Sequence, residues 1–109
     1  MDEILFLMFG NHPKSRKLYE EARKVIEILK ERKEISREEL AKLLGLDLNN
    51  PAQKKHFYNI VSPMFNKVLG SDRKGRVVYY HLSYDIFRVY LDNLRRKGRY
   101  YLTGEEEKI

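Results

Sequence analysis

The sequence predicts a mainly helical α+β fold in which a small β-hairpin joins a three-helix core to a C-terminal helix. Apolar residues recur at helical spacing in four segments. A glycine-containing turn at 70–75 precedes a β-branched and aromatic run, which indicates a strand. The length of 109 residues suits a single domain. We expect an apolar segment at 1–13, a core at 15–82, a helix at 83–98 and a frayed acidic tail at 103–109.

The first half of the chain begins with two apolar segments. Residues 4–9 form a run that is too short to assign to a strand, a short helix or an oligomer contact. A long helix is predicted over 15–33 with Ser15 as its cap. Four residues form its apolar stripe: Leu18, Ala22, Val25 and Leu29.

A short second helix has clear start and stop signals. Ser36 followed by Glu39 is a capping-box pattern, which predicts a helix over 37–44. Gly45 stands where a helix-ending glycine belongs. The residues that we expect to point inward are Leu40, Leu43 and Leu44.

A third helix is predicted to begin at Asn50, with Pro51 in its first turn. Pro63 predicts a kink or a break near Ser62. The apolar side of this segment holds Phe57, Ile60, Val61, Met64, Phe65 and Val68. The opposite side holds Lys55, Asn59, Ser62 and Asn66.

The predicted β-hairpin pairs 68–71 with 76–82 across a basic turn. Side chains alternate along a strand, so we expect one of Tyr79 and Tyr80 in the core.

A fourth helix is predicted over 84–97, capped by Ser83 and stopped by Gly98, with 99–102 packing back as an extended piece. Its main stripe holds Phe87, Tyr90, Leu91 and Leu94, whereas Ile86 and Val89 lie on another side.

Positive charge is concentrated in the second half of the chain. The 22 Lys and Arg residues exceed the 16 Asp and Glu residues, which gives a formal charge of +6. Residues 1–50 are neutral, whereas 51–100 carry eleven basic and three acidic side chains. This imbalance favours a phosphate-rich partner, and an ordinary Lys-rich surface is the alternative.

Several function classes are disfavoured. The chain contains no cysteine, which excludes disulfides, a thiol nucleophile and Cys-ligated metals. Enzyme motifs such as a glycine-rich phosphate loop are absent from the sequence, so we expect no catalysis, cofactor or metal. The apolar runs are far shorter than the roughly 20 residues of a membrane span, and we expect a cytoplasmic protein without membrane contact. The 35% charged content is typical of thermophile surfaces.

The order of helix, short helix, turn, helix, basic hairpin and helix resembles the winged helix-turn-helix family, in the style of small archaeal and archaeal-virus regulators. The resemblance covers about 15–97 and is carried by 25–29 (VIEIL), 35–45 (ISREELAKLLG), 58–69 and 77–83 (VVYYHLS). It implies a transcription regulator that reads double-stranded DNA, with the third helix in the major groove and the hairpin, or wing, on the backbone.

Carried onto this chain, the resemblance implies two sets of DNA-binding residues. The recognition-helix set is Gln53, Lys54, Lys55, Tyr58, Asn59, Ser62, Asn66 and Lys67. The wing set is Arg73, Lys74 and Arg76. Asn side chains suit adenine edges, and Lys and Arg suit phosphate. The connector at 45–51 is longer than the family's tight turn, and Pro63 interrupts the helix. A solvated helix face and a basic hairpin that guards a sheet edge are the structural alternatives.

The apolar content of the fourth helix and of 4–9 predicts a homodimer, and the alternative is that both segments complete the core of a monomer. The candidate interface residues are Ile86, Val89, Tyr90 and Leu94. The alternative functions are a winged-helix protein–protein adaptor in a transcription, replication or membrane-remodelling assembly, and an architectural DNA- or RNA-binding protein.

Overall fold

A computed structural model describes residues 3–10 and 15–105 of the chain. The protein is mainly helical, with a small three-stranded antiparallel sheet. In chain order the elements are α1 (Glu3–Phe9), α2 (Arg16–Arg32), β1 (Glu34–Ser36), α3 (Arg37–Leu43), α4 (Pro51–Val61), a 3₁₀ turn (Ser62–Met64), β2 (Leu69–Lys74), β3 (Val77–Leu82) and α5 (Tyr84–Thr103). The predicted N-terminal segment at 1–13 and the predicted acidic tail at 103–109 both lie partly outside the described residues.

The two N-terminal helices pack against each other. The apolar run that the sequence left unassigned is a helix, and it buries Leu5 and Met8. Ser15 stands at the N-cap position of α2, as predicted, but its side chain forms no capping hydrogen bond. The Ser15 hydroxyl instead donates to the Phe9 carbonyl oxygen at 3.1 Å.

The sheet contains one strand more than the sequence predicted. β1 is only three residues long and pairs with β3, with Ile35 opposite Tyr80, in the strand order β1-β3-β2. β2 also runs further than predicted, because the turn shortens to Gly75 and Arg76. Gly75 has a φ of 65°, which suits the first central position of a tight hairpin turn.

The start signals of α3 and α4 are confirmed. The Ser36 hydroxyl accepts from the Glu39 amide at 3.2 Å, and the Asn50 side chain accepts from two amides in the first turn of α4. Leu43, expected to point inward, is 46% exposed, and Ala41 is buried in its place. The reason is the helix period, which puts Leu40 and Ala41 over the core and turns Leu43 outward.

The core lies between the helices and one face of the sheet. Phe57 and Tyr80 stack at its centre with ring centroids 6.4 Å apart. The buried residues around them come from every element except α5: Leu5, Met8, Ala22, Val25, Leu29, Ile35, Leu40, Ala41, Ile60, Val61, Met64 and Leu69.

The helix α5 is longer than predicted and projects from this core. Gly98 does not stop it, and 99–102 are mostly helical rather than extended. A glycine costs a helix interior only about 1 kcal/mol. The helix ends instead before Gly104, which has a left-handed φ of 73°. The radius of gyration, 15.8 Å, exceeds the roughly 13 Å of a compact chain of this length, as a projecting helix requires.

Candidate nucleic-acid interface

The helix α4 turns a polar face to solvent. Phe57, Ile60 and Val61 are buried on its inner side. Lys55 and Asn59 are exposed on the opposite side, and Ser62 is exposed just beyond the helix end. Because the helix stops at Val61, as Pro63 predicted, this face is only about three turns long.

The N-terminal end of α4 is held by the connector from α3. The Gln53 side-chain oxygen accepts from the Asp47 amide at 2.7 Å, and the Asp47 carboxylate accepts from the Asn49 amide at 2.9 Å. Gln53 was predicted as a DNA-binding residue, and the structure places its oxygen in this loop contact. The long connector therefore has a fixed position against α4.

A polar cluster joins α3, α4 and β3. Arg37 Nη1 donates to the Tyr58 hydroxyl at 3.2 Å, and Arg37 Nη2 donates to Glu38 at 3.1 Å. Although burial disfavours the charged guanidinium, the Glu38 carboxylate and Tyr58 together raise the pKa of Arg37 above its ordinary value, so it stays charged. Burial raises the pKa of Tyr80, next to this cluster, to about 12. Tyr58 is thus half-buried and engaged in holding α4.

The hairpin separates its basic residues by side. Successive residues of a strand face opposite sides of the sheet. Arg73 pairs with Val78, on the side of the buried Tyr80, whereas Lys74 lies on the outer side with Tyr79. Lys74 Nζ lies 2.6 Å from Glu34 Oε1 and 5.0 Å from the Tyr79 ring centroid. The Glu34 carboxylate raises the pKa of Lys74, so this predicted wing cation is already paired.

Four of the predicted cations are exposed and unengaged. Throughout the described ranges 3–10 and 15–105, no hydrogen bond, ion pair or ring contact involves the side chains of Lys54, Lys55, Arg73 and Arg76. Two belong to the first half of α4 and two to the hairpin tip. Exposed cations without a protein partner are available for phosphate.

Two predicted recognition residues lie away from the α4 face. Asn66 follows the helix break and has a φ of 63°, so it does not continue the polar side. Lys67 donates to the Leu7 carbonyl oxygen at 3.3 Å and lies 5.5 Å from the Tyr90 ring centroid. It bridges α1 and α5. The prediction that Asn66 lies on the polar side of the third helix, with Lys67 beside it, was wrong because the helix ends at Val61, before Pro63.

The predicted dimer residues on α5 occupy different surroundings. Ile86 lies over the sheet, where a β-carbon on Gly70 would come within 2.8 Å of its terminal methyl. Tyr90 is half-buried beside Lys67. Val89 and Leu94 are exposed.

Sequence reasoning missed the positioning contacts. The only local signal at Arg37 was its place after the Ser36 cap, which says nothing of Tyr58, 21 residues later. His56 lies 2.6 Å from the Glu21 carboxylate and ties α4 to α2, and no local pattern in the sequence indicates this contact.

Comparison with protein-family models, with curated proteins and with solved structures gives no match. Within 3–10 and 15–105, no cluster of three or more His, Asp or Glu side chains is arranged to hold a metal. Among the helices described, none combines the length and the apolar character needed to cross a membrane.

Proposed function

We propose that this chain is a single winged-helix domain that binds double-stranded DNA and regulates transcription. The observation that carries the proposal is the set of four exposed, unengaged cations on α4 and the hairpin tip. Exposed positive charges without protein partners favour binding to a negatively charged polymer. The phosphates of duplex DNA lie within reach of both a helix in the major groove and a hairpin beside it.

The sheet register supports joint action of α4 and the hairpin. Ser36, the last residue of β1, is level with Tyr79, so the hairpin extends beyond β1 at the end where α3 begins. The Arg37–Tyr58 hydrogen bond ties that same end to α4. Arg73 projects on the helix side of the hairpin.

The proposed contacts divide into two kinds. Lys55, Asn59 and Ser62 on the polar face of α4 would meet base edges in the major groove, since amide and hydroxyl groups can discriminate bases. Lys54, Arg73 and Arg76 would meet phosphates and set the register of the domain on the duplex. No cofactor takes part in this mechanism.

A protein–protein adaptor is the second candidate. The observation that favours it is apolar exposure outside the basic face, on Ile4 and Phe6 of α1 and along α5. An adaptor of this kind would not need the four cations.

The test compares two variants of equal charge. One replaces Lys54, Lys55, Arg73 and Arg76 with Gln. Its matched control replaces four exposed cations of α2 with Gln: Arg16, Lys17, Lys24 and Lys30. Fluorescence anisotropy of a labelled random duplex is recorded at low and moderate salt, after circular dichroism has shown that both variants are folded.

We expect the α4–hairpin variant to lose at least tenfold in affinity and the α2 variant to lose much less. Equal losses would contradict the assignment of the site. Absence of binding by the unaltered protein at low salt would remove DNA as the partner and favour the adaptor. Preference for duplex RNA over duplex DNA in competition would also contradict the proposal.

A further inference from the structure

The helix α5 carries an apolar seam that the rest of the molecule covers only in part, with Phe87 half-buried. Six residues recur at alternating spacings of three and four: Tyr84, Phe87, Leu91, Leu94, Gly98 and Tyr101. This is the a/d spacing of a coiled coil. Tyr84 is 76% exposed, Leu91 39%, Leu94 43% and Tyr101 87%. Helix α5 buries no residue in the monomer, although five of the six seam positions hold large apolar side chains.

The side of α5 that contacts the core is a different one. Ile86 lies over Gly70 of the sheet, and Tyr90 lies beside Lys67. On a helix, Ile86 and Tyr90 are about one turn apart on a line that runs beside the seam. Within one chain, α5 therefore packs through the side that carries Ile86 and Tyr90, and most of the seam remains accessible to solvent.

Gly98 is unexplained within one chain. It lies in the interior of a 20-residue helix, it has no positive φ, and nothing lies within 4 Å of the place where a β-carbon would stand. Alanine there would favour the helix by about 1 kcal/mol. The open space beside Gly98 can accept a large side chain that enters from outside.

We propose that two copies of this chain associate through α5 as an antiparallel coiled coil. The seam spacing reads the same in both directions, so two antiparallel helices align all six positions. Phe87 of each copy then lies against Gly98 of the other, and Leu91 lies against Leu94. The outermost layers pair Tyr84 with Tyr101. The large ring of Phe87 fills the space that Gly98 leaves.

Gly98 also sets the direction of the second copy. Parallel helices would leave Gly98 facing Gly98 across an empty layer, whereas antiparallel helices fill that layer with Phe87. This association stands apart from DNA binding, and either can fail without the other.

Disulfide trapping tests the direction. The chain has no cysteine, so Tyr84→Cys and Tyr101→Cys chains each carry a single thiol. We expect an equimolar mixture to form a cross-linked dimer under mild oxidation, and neither chain to do so alone. In the antiparallel pair the two copies of residue 84 are about 25 Å apart, beyond disulfide reach. Cross-linking of Tyr84→Cys alone, or of neither sample, would overturn the proposal.

Sedimentation equilibrium tests the seam. Leu91→Glu places a charge in the seam, and Val89→Glu is the matched control, because Val89 is 51% exposed on the other side of the same helix. We expect Leu91→Glu to weaken dimerisation at least tenfold and Val89→Glu to leave it nearly unchanged. Gly98→Leu should also weaken it, since leucine would clash with Phe87. Stronger association of Gly98→Leu, or equal effects of the two Glu substitutions, would contradict the arrangement.

Discussion

Arg37 donates from Nη1 to the Tyr58 hydroxyl at 3.2 Å and thereby joins the first residue of α3 to the middle of α4. The same guanidinium keeps its Nε buried without a partner among the described residues. The orientation of the proposed reading helix thus depends on a contact between residues that are 21 positions apart.

The first prediction concerns this contact. Tyr58→Phe removes the acceptor and leaves the half-buried guanidinium with Glu38 alone, so we expect a loss of about 1–3 kcal/mol in the free energy of unfolding. Urea denaturation measures it. Tyr79→Phe is the control, because its ring would still lie under Lys74, and it should change stability by less than about 0.5 kcal/mol. Equal effects of the two substitutions would show that the hydrogen bond does not stabilise the fold.

The second prediction separates neighbouring cations of the hairpin. Arg73 has no partner within 3–10 and 15–105, whereas Lys74 is paired with Glu34. Arg73→Ala should weaken binding to every duplex to a similar degree and reduce the salt slope by about 1. Lys74→Ala, the control, should change affinity much less. Anisotropy at several salt concentrations compares them, and an equal loss with Lys74→Ala would contradict the division of roles.

The third prediction concerns base reading. Asn59→Ala removes an exposed amide from the centre of the polar face of α4. We expect a change in sequence preference, worth about 1–3 kcal/mol at one base pair, with little loss on random DNA. Selection from a random duplex pool measures the preference. An unchanged preference, or a uniform loss like that of Arg73→Ala, would place Asn59 outside the groove.

The fourth prediction is an alkaline loss of stability. Burial raises the pKa of Tyr80 from 10.0 to about 12, so the folded state favours the neutral phenol. The unfolded chain loses the Tyr80 proton at a lower pH than the folded chain does. The stabilisation from the buried neutral phenol is therefore complete below pH 10 and declines as the pH rises toward 12. Tyr80 lowers the free energy of unfolding by at most about 1.4 kcal/mol for each pH unit in this range. Tyr80→Phe should flatten the slope, whereas a matching effect of Tyr84→Phe, at an exposed position, would contradict this origin.

The fifth prediction concerns the joint between α5 and the sheet. A β-carbon at Gly70 would lie 2.7 Å from His81 Nε2 and 2.8 Å from Ile86 Cδ1, too close for either group to stay in place. Gly70→Ala should cost about 0.5–1.5 kcal/mol of stability, because both atoms are the ends of side chains that can turn away from the new methyl group. Ser71→Ala, at the next and exposed position, is the control. Thermal unfolding measures the difference in stability. Equal melting temperatures of the Gly70→Ala and Ser71→Ala variants would show that α5 moves without cost.

Local signals predicted the elements well where one or two neighbouring residues decide. Asn50 with Pro51, Ser36 with Glu39 and the break before Pro63 are confirmed for this reason. β1 was missed because three residues form a strand only when β3 lies beside them. The end of α5 was misplaced because Gly98 is compatible with a helix, whereas Gly104 ends it.

The candidate site was less predictable than the fold. The exposure of Lys55 and Asn59 follows from helical period alone. The partners of Lys67 and Lys74 lie 60 and 40 residues away in sequence, so no local pattern shows that these cations are engaged. The sequence identifies the candidate binding residues, and the tertiary contacts show which of them are already engaged with other parts of the protein.

The salt dependence of binding to a random duplex tests the central claim most directly. Three phosphate contacts per chain, from Lys54, Arg73 and Arg76, predict that the logarithm of the binding constant falls against the logarithm of salt concentration with a slope of about −3. Replacement of Lys54, Lys55, Arg73 and Arg76 with Gln should bring that slope close to zero. Absence of binding at low salt, or an unchanged slope in that variant, would contradict DNA binding by α4 and the hairpin.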